Sequence, residues 1–357
     1  MLMVIFGAGA SYGSRPFPEQ GDESLLGIAA GAGRPMVPRP PLTDGLFSEE
    51  LGEFAASYPS CRPAIVRLRH AHELRPEAPV EEEIARLYED ARGPRGDPER
   101  ERHLLALRFY LWDLIQTQTR AWWDMFHGFT YYTDLLDRLG SWRLETNETV
   151  ALVTFNYDEL LDRSAEAQAR NWTLDAFSSY VERDDWRLFK LHGSVGWSRV
   201  FTGWENVDPN EPNDVIAKSG GVNFDDAQLR PQPWRSAPQA GENAVAVPGI
   251  AVPTTLKQDF QCPSDQVALF AASAGHVNRL LTIGWRAAEP HAVELLSKHI
   301  QPGLQLGICD MNAKDYDTIA ANLGIVSRRC ENPVFFSRGF QGLLEGEQLE
   351  DWLTRAA

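Results

Sequence analysis

The sequence predicts an α/β protein in which a mostly parallel sheet carries helices on both faces. Three observations favour this class. The chain opens on an apolar run over residues 2–6 that leads directly into a glycine-rich turn. Similar apolar runs recur in the second half of the chain, and each ends in small or polar residues. Segments with the apolar spacing of helices separate these runs, and strands that alternate with helices form parallel sheets.

The predicted elements follow one another along the chain. Strands are predicted over residues 2–6, 149–155, 187–191, 279–284 and 304–309. Helices are predicted over residues 104–126, 131–139, 159–167, 290–299, 315–323 and 340–353. This alternation predicts a Rossmann-like sheet, in which ligands bind outside the carboxyl ends of the strands.

Two segments interrupt the alternation. Residues 46–129 have helical patterns without a strong strand and predict an inserted helical module. Residues 202–250 are rich in Pro, Gly, Asn and Asp and predict a loop-rich surface insertion. The main domain would then comprise residues 1–45 and 130–357. Within it, residues 13–45 hold 12 Gly or Pro among 33 positions, which favours a functional loop over a regular element.

Composition restricts the class of protein. The chain has 357 residues, 43% of them hydrophobic, which is enough for a sizeable core. The 50 acidic and 34 basic residues give a net charge of −16, and this argues against direct nucleic-acid binding, which neutralises phosphates. No apolar stretch approaches the roughly 20 residues that span a membrane, and the first run is too short for a secretion signal. The four cysteines are too widely spaced for a disulfide framework or a zinc ribbon. We therefore expect a cytoplasmic protein without a metal.

The first candidate motif is the turn Gly7-Ala8-Gly9-Ala10-Ser11, which follows the first strand. A strand that enters a Gly-x-Gly turn lets backbone N–H groups approach a pyrophosphate. Dehydrogenase fingerprints have a further Gly where this chain has Tyr12, and an acidic residue at the end of the second strand. The sequence therefore argues against a dehydrogenase. A tight turn without a ligand remains the alternative.

Polar residues follow the second and third predicted strands. Thr154, Asn156 and Asp158 come at the end of the strand over 149–155, and His192 follows the next one. An amide and a carboxylate at this edge can bind ribose hydroxyls, and a histidine can act as a general base near neutral pH. Helix capping by Asn156 and Asp158 is the alternative for the first group, and a structural role is the alternative for His192.

Two later strands end in a similar way. Gly284 and Trp285 follow the strand over 279–284, and Asp310 and Asn312 follow the strand over 304–309. Each pair is weak by itself because polar strand ends are common. Their value lies in the order of the five segments along the chain.

That order resembles the signature of the sirtuin superfamily, and in particular its bacterial, defence-associated, NAD-hydrolysing branch. The resemblance covers residues 1–45 and about 130–325. It implies Asn156 and His192 as catalytic residues, with His192 as the base. The residues that it implies for NAD binding are Gly7, Ala8, Gly9, Ala10, Ser11, Thr154, Asp158, Gly284, Trp285, Asp310 and Asn312. Sirtuins usually have Gly-Thr/Tyr-Ser where this chain has Gly284-Trp285-Arg286.

The cysteines bear on the reaction that the resemblance implies. Protein-deacylating sirtuins carry a zinc ribbon between their His-Gly and Ile-Gly segments, and here only Cys262 lies between His192 and Gly284. With no acyl-lysine acceptor, water would attack the ribose, and loop 13–45 would close over NAD. The expected activity is hydrolysis of NAD to nicotinamide and ADP-ribose, or its cyclic form.

The resemblance also implies a setting for this activity. A free NAD hydrolase would deplete its own cell, so we expect control by a homo-oligomer or a partner in antiphage defence. In related systems the partner is a hexameric translocase-type ATPase or a short Argonaute. The alternatives are a sensor that binds NAD or ADP-ribose and gates a partner, and a protein deacylase or ADP-ribosyltransferase.

Overall fold

The computed structural model describes residues 1–15, 39–48, 51–75, 80–92, 97–169, 172–220, 222, 227–236, 244–252, 260–330 and 332–354. The strands are β1 (Leu2–Phe6), β2 (Val150–Thr154), β3 (Trp186–Lys190), β4 (Gly193–Phe201), β5 (Gln228–Arg230), β6 (Val245–Ile250), β7 (Arg279–Ile283), β8 (Gln305–Cys309) and β9 (Val334–Phe336). The helices are α1 (Ala8–Tyr12), α2 (Gly52–Ser57), α3 (Arg62–Leu74), α4 (Val80–Arg92), α5 (Pro98–Met125), α6 (Tyr131–Thr146), α7 (Leu160–Gln168), α8 (Phe177–Val181), α9 (Pro212–Lys218), α10 (Ser264–Ala274), α11 (Pro290–His299), α12 (Asp315–Leu323), α13 (Ile325–Arg328), α14 (Gly339–Leu344) and α15 (Gln348–Thr354).

The main sheet has six parallel strands in the order β3-β2-β1-β7-β8-β9 and is flanked by helices. Every residue of β1 and β2 is buried. Strands buried on both faces need continuous apolar runs rather than alternating ones, which is why these strands stand out in the sequence. The predicted fold class is confirmed.

The register aligns the carboxyl ends of the central strands. Phe6 pairs with Thr154 on one side and with Ile283 on the other. Thr154 in turn pairs with Lys190, and Ile283 pairs with Cys309. The polar segments that follow β1, β2, β3, β7 and β8 therefore emerge along one edge. Along the chain, β2 and β3 are added on one side of β1, and β7, β8 and β9 are added on the other side. Open α/β sheets bind ligands at such a switch point.

A second, smaller sheet departs from the sequence-based expectation. Strands β4, β5 and β6 form an antiparallel sheet in the order β5-β4-β6. β4 begins immediately after His192 and was not predicted, and β5, β6 and α9 lie inside the segment 202–250 that was predicted as loop-rich. The single terminal helix predicted over 340–353 is two helices, α14 and α15, with Gly346 at a φ of +66° between them.

The helical segment and the small sheet share a core that is separate from that of the main sheet. Tyr110 and Trp112 of α5 pack there together with Val195 of β4, Val247 of β6 and Trp234. The far end of α5 contributes to the main core instead. In its described residues the segment 46–129 consists of helices joined by turns and short connections, with no strand, and the boundaries of a separate module stay a prediction. Across the described part of the chain, no helix combines the length and the apolarity needed to cross a membrane.

Glu83 of α4 forms ion pairs with Arg67 of α3 and with Arg86 of α4, and the first of these holds the two helices together. Its carboxylate lies 2.7 Å from Arg67 Nε and 2.7 Å from Arg86 Nη1. Burial opposes ionisation of Glu83, but hydrogen bonds and charge from the two arginines outweigh it and lower its pKa. Because the folded-state pKa is lowered, this stabilisation is present above the unfolded-state pKa and is lost as pH falls through the folded-state pKa.

We therefore expect Glu83→Gln to lower the free energy of unfolding at pH 7 by on the order of 1 kcal/mol, since solvent around the partly exposed arginines screens the pair. The difference from wild type should stay constant down to about pH 4.3, the ordinary pKa of Glu, and shrink below it. Urea unfolding of both proteins across this range measures the effect. A difference that stays the same at lower pH would contradict it.

Candidate functional site

The glycine turn after β1 lies against the end of β7. A Cβ atom added to Gly7 would lie 2.4 Å from the Gly284 carbonyl oxygen, and one added to Gly9 would lie 2.9 Å from Gly284 Cα. Gly284 has a φ of +57°, and its carbonyl accepts a hydrogen bond from Gly9 N at 3.2 Å. This close approach by itself requires the three glycines. The contact lies at the switch point of the sheet, where Ala10 is buried and Ala8 is half-buried.

A buried hydrogen-bond network joins this turn to the end of β2. Asn156 Nδ2 donates to the Gly7 carbonyl at 2.9 Å and to Ser11 Oγ at 2.9 Å. Ser11 Oγ donates to Asp158 Oδ2 at 2.7 Å and lies 2.9 Å from the Tyr132 hydroxyl. Three of the predicted site residues, Ser11, Asn156 and Asp158, are thus in direct contact.

The network fixes the orientation of the Asn156 amide. Its two N–H groups point at acceptors, the Gly7 carbonyl and Ser11 Oγ, so the opposite orientation would set oxygen against oxygen at Gly7. Oδ1 is consequently the atom that can accept a hydrogen bond from a ligand or a water molecule. Thr154 supports this arrangement from below, because its buried Oγ1 accepts from Asn156 N at 3.0 Å.

Asp158 is committed to internal contacts. Its Oδ2 accepts from Ser11 and its Oδ1 accepts from Leu160 N at 3.0 Å, at the start of α7. Burial raises the pKa of Asp158, and the charge of Lys190 and the hydrogen bond from Ser11 oppose that rise. Asp158 therefore accepts a hydrogen bond from the first backbone N–H of α7, which fits the capping alternative for this residue. Its direct contact with ribose stays a prediction.

His192 lies in the turn between β3 and β4, packed against the residue that precedes Asn156. Its ring centroid is 4.9 Å from that of Phe155 in an edge-to-face contact and 6.0 Å from that of His291. The backbone is held from two directions, since Ala251 N donates to the His192 carbonyl and Gln261 N donates to the Leu191 carbonyl. The imidazole therefore sits on a fixed backbone at the edge where Asn156 also lies.

Trp285 packs against Phe155, the residue that also contacts His192. Its ring stacks on Phe155 with centroids 5.3 Å apart and planes at 14°, and Nε1 donates to Glu289 Oε2 at 2.5 Å. Because the side chain is almost wholly buried, it supports Phe155, which in turn contacts His192. Its predicted contact with a ligand stays a prediction.

Asp310 and Asn312 lie at the same edge but farther along it. Burial raises the pKa of Asp310, whose Oδ1 accepts from Met311 N at 2.7 Å, and Asn312 is exposed. Strands β1 and β7 separate β8 from β2, which amounts to three interstrand steps or roughly 14 Å. The structure does not bring these two residues to Asn156, and only an extended ligand could touch both places.

Several residues of the site have no signal in the sequence. Tyr132 of α6 reaches Ser11 from 121 positions away, and nothing in its helical pattern indicates this contact. The buried indole of Trp112 on α5 donates through Nε1 to the Val195 carbonyl at 2.7 Å, and Val195 N donates to the Tyr157 carbonyl. The helical segment therefore contacts the edge of the candidate site through β4.

Two further expectations concern closure and metal. Most of the loop over 13–45, namely residues 16–38, lies outside the described residues, so its closure over a ligand stays a prediction. Among the residues that the structure describes, no group of three or more His, Cys, Asp or Glu side chains is arranged to hold a metal ion.

Comparisons with solved structures find Sir2 homologues. No protein-family model matches the chain, and no curated protein matches it. A mutant Sir2 homologue in complex with ADP-ribose shares 12% identity over 99% of this chain and 90% of its own, with a TM-score of 0.41. A Sir2 homologue in complex with NAD shares 13% over 98% and 88%, with a TM-score of 0.40. Sir2Tm bound to a propionylated peptide shares 13% over 99% and 94%, with a TM-score of 0.37.

Proposed function

We propose that this protein binds NAD at the switch point of the sheet and hydrolyses its bond between nicotinamide and ribose. The observation that carries the proposal is the Asn156 amide. It is fixed by Gly7 and Ser11 so that Oδ1 is available to a ligand or water, and the adjacent residue Phe155 contacts the His192 ring. The order of the motifs, which resembles that of NAD-hydrolysing sirtuin-like proteins, supports NAD as the substrate.

Spacing along the edge also favours a dinucleotide. A ligand that contacts the turn after β1, the Asn156 amide and Asp310 must extend over several strands. NAD is long enough, with its pyrophosphate over the glycine turn, its nicotinamide ribose by Asn156 and its adenosine toward Asp310. In this arrangement NAD is the substrate rather than a resident cofactor.

The chemistry follows from the charge of nicotinamide. In NAD the nicotinamide ring is cationic, so the glycosidic C–N bond can break with its electron pair leaving on the ring nitrogen. The remaining ribose carbon becomes oxocarbenium-like, as in glycoside hydrolysis. Asn156 Oδ1 accepts a hydrogen bond from the attacking water, and His192 takes the proton that this water loses. The products are nicotinamide and ADP-ribose, with no metal required for the leaving group.

We further propose that the activity depletes cytoplasmic NAD in antiphage defence, held in check by a homo-oligomer or a partner. The support is the resemblance of the motif order to the defence-associated branch. A hexameric translocase-type ATPase and a short Argonaute are the partner types found in related systems.

The test incubates the purified protein, alone and with candidate partner proteins, with NAD and follows nicotinamide and ADP-ribose by chromatography, with and without an acetylated peptide. We expect both products in equal amounts without the peptide. Asn156→Ala should lower kcat on the order of 10²-fold, because the water loses its orientation. Asn213→Ala, at an exposed asparagine of α9, is the matched control and should behave as wild type.

Other outcomes identify the alternatives. Turnover that requires the peptide and yields a deacylated product would indicate a deacylase. Tight NAD binding without turnover, in the presence of candidate partner proteins, would indicate a sensor. Turnover that Asn156→Ala leaves intact would contradict the proposed site.

A further inference from the structure

Lys190 is the last residue of β3 and is wholly buried. Its Nζ donates to the main-chain carbonyl of Asp158 at 2.6 Å and to Asp162 Oδ2 at 2.6 Å. The ammonium group thus joins three elements: the end of β3, the turn after β2, and α7, which carries Asp162.

These contacts connect the two segments on which the proposed reaction depends. Lys190 precedes His192 by two residues, and Asp158 follows Asn156 by two residues. The register independently pairs Lys190 with Thr154, the last residue of β2. Beyond that pair the chains leave the sheet, and the bond from Nζ to the Asp158 carbonyl is a side-chain link across the gap.

The Asp162 carboxylate has other partners besides Lys190. The Tyr180 hydroxyl donates to Asp162 Oδ1 at 3.3 Å, and Trp197 Nε1 of β4 donates to the Tyr180 hydroxyl at 3.2 Å. An uncharged amide at position 162 keeps one oxygen that can accept from Lys190 Nζ, and its NH2 group can then donate to the Tyr180 hydroxyl. The ion pair and the link to the Asp158 carbonyl can therefore be removed separately.

The cost of burying the Lys190 ammonium group suggests that its charge has a role other than stabilising the fold. Removing a lysine and a carboxylate from water is costly, and replacing such a pair with well-packed apolar groups often leaves a fold equally stable. Stability alone therefore does not require the pair. The Lys190 charge also opposes the rise in the pKa of Asp158 caused by burial, which favours the acceptor state that Ser11 needs.

We propose that Lys190 is a positioning residue that sets the Asn156–Asp158 turn relative to His192 through its bond to the Asp158 carbonyl. It does not touch the substrate. The inference rests on the proposed function, because it assigns to Lys190 the spacing between the two residues that act on NAD.

The test compares two variants that separate positioning from stability. Asp162→Asn keeps the Lys190 bond to Asp158 but leaves a buried ammonium without its counter-charge, so it should lower the midpoint of urea unfolding. The double variant Lys190→Met with Asp162→Asn removes both charges with side chains of similar size. It should unfold at higher urea than Asp162→Asn, yet it lacks the link to the Asp158 carbonyl.

The variant with the lower urea midpoint, Asp162→Asn, should have the higher kcat. We expect Asp162→Asn to retain nearly the wild-type kcat for nicotinamide release, and the double variant to lose on the order of 10²-fold in kcat with little change in KM. If kcat instead follows the unfolding midpoint in both variants, Lys190 has only a structural role and the proposal is wrong.

Hydrogen exchange measured by mass spectrometry distinguishes this failure from failure of the proposed function. In the double variant the amides of residues 156–158 should exchange faster than in Asp162→Asn, whether or not NAD is cleaved. If the wild-type protein never cleaves NAD but the two variants differ in exchange in this way, the hydrolase is contradicted and the positioning role is retained. Unchanged exchange at these amides would overturn the positioning role, whatever the turnover.

Discussion

Replacing His192 with alanine is expected to lower kcat for nicotinamide release by about 10²–10⁴-fold, the usual contribution of a general base. The ring is held by Phe155, and Phe155 is held by the stacked ring of Trp285, so the imidazole is pre-positioned and its loss removes proton transfer directly. KM should change much less, because the glycine turn and Asn156 remain.

Steady-state kinetics of nicotinamide release measures this effect. His276→Ala is the matched control, since His276 is exposed and lies in the turn before β7. It should leave both parameters unchanged. A His192→Ala protein with nearly wild-type kcat would show that another group accepts the proton, and would remove His192 from the mechanism.

Replacing Gly284 with alanine should lower the free energy of unfolding more than Glu83→Gln does. At a φ of +57° a Cβ atom costs roughly 1–2 kcal/mol through clash with its own backbone. The same Cβ would lie 2.4 Å from Ala10 N, and such overpacking costs about 1–3 kcal/mol more. Because both sides of this contact are backbone, little of the strain can be relieved by side-chain movement.

Gly203 provides the matched control for this prediction. It has a φ of +84°, yet an added Cβ would meet nothing within 4 Å. Gly203→Ala should therefore lose only the backbone contribution, and urea unfolding of the two variants isolates the cost of the close approach. Equal losses in both variants would mean that the turns after β1 and β7 do not pack as described.

The strands of the main sheet could be predicted because burial on both faces leaves an unbroken apolar signal, as in β1 and β2. β4 gave no such signal. It contains Gly193 and Gly196 and alternates small polar residues with Val195 and Trp197, so its burial comes from packing against β6 and α5. Such burial depends on contacts between distant segments, which the local pattern does not contain.

The candidate site was predictable in part for the same reason. Asn156 and His192 follow strands whose ends the sequence locates, and register then brings them to one edge. Tyr132 and Lys190 join the site through contacts that span 121 and 32 positions, and no local motif indicates either contact. The glycine turn lies after β1 as predicted, but its packing against Gly284 already requires glycine there, so its contact with NAD stays a prediction.

A crystal structure of the His192→Ala variant with NAD tests the central claim most directly, since the variant should bind the dinucleotide without cleaving it. We predict the pyrophosphate over the turn at Gly7 and Gly9, the nicotinamide ribose beside Asn156 Oδ1, and the adenosine toward Asp310. NAD bound at any other place, or none bound at saturating concentration, would contradict the assignment of this edge as an NAD-cleaving site.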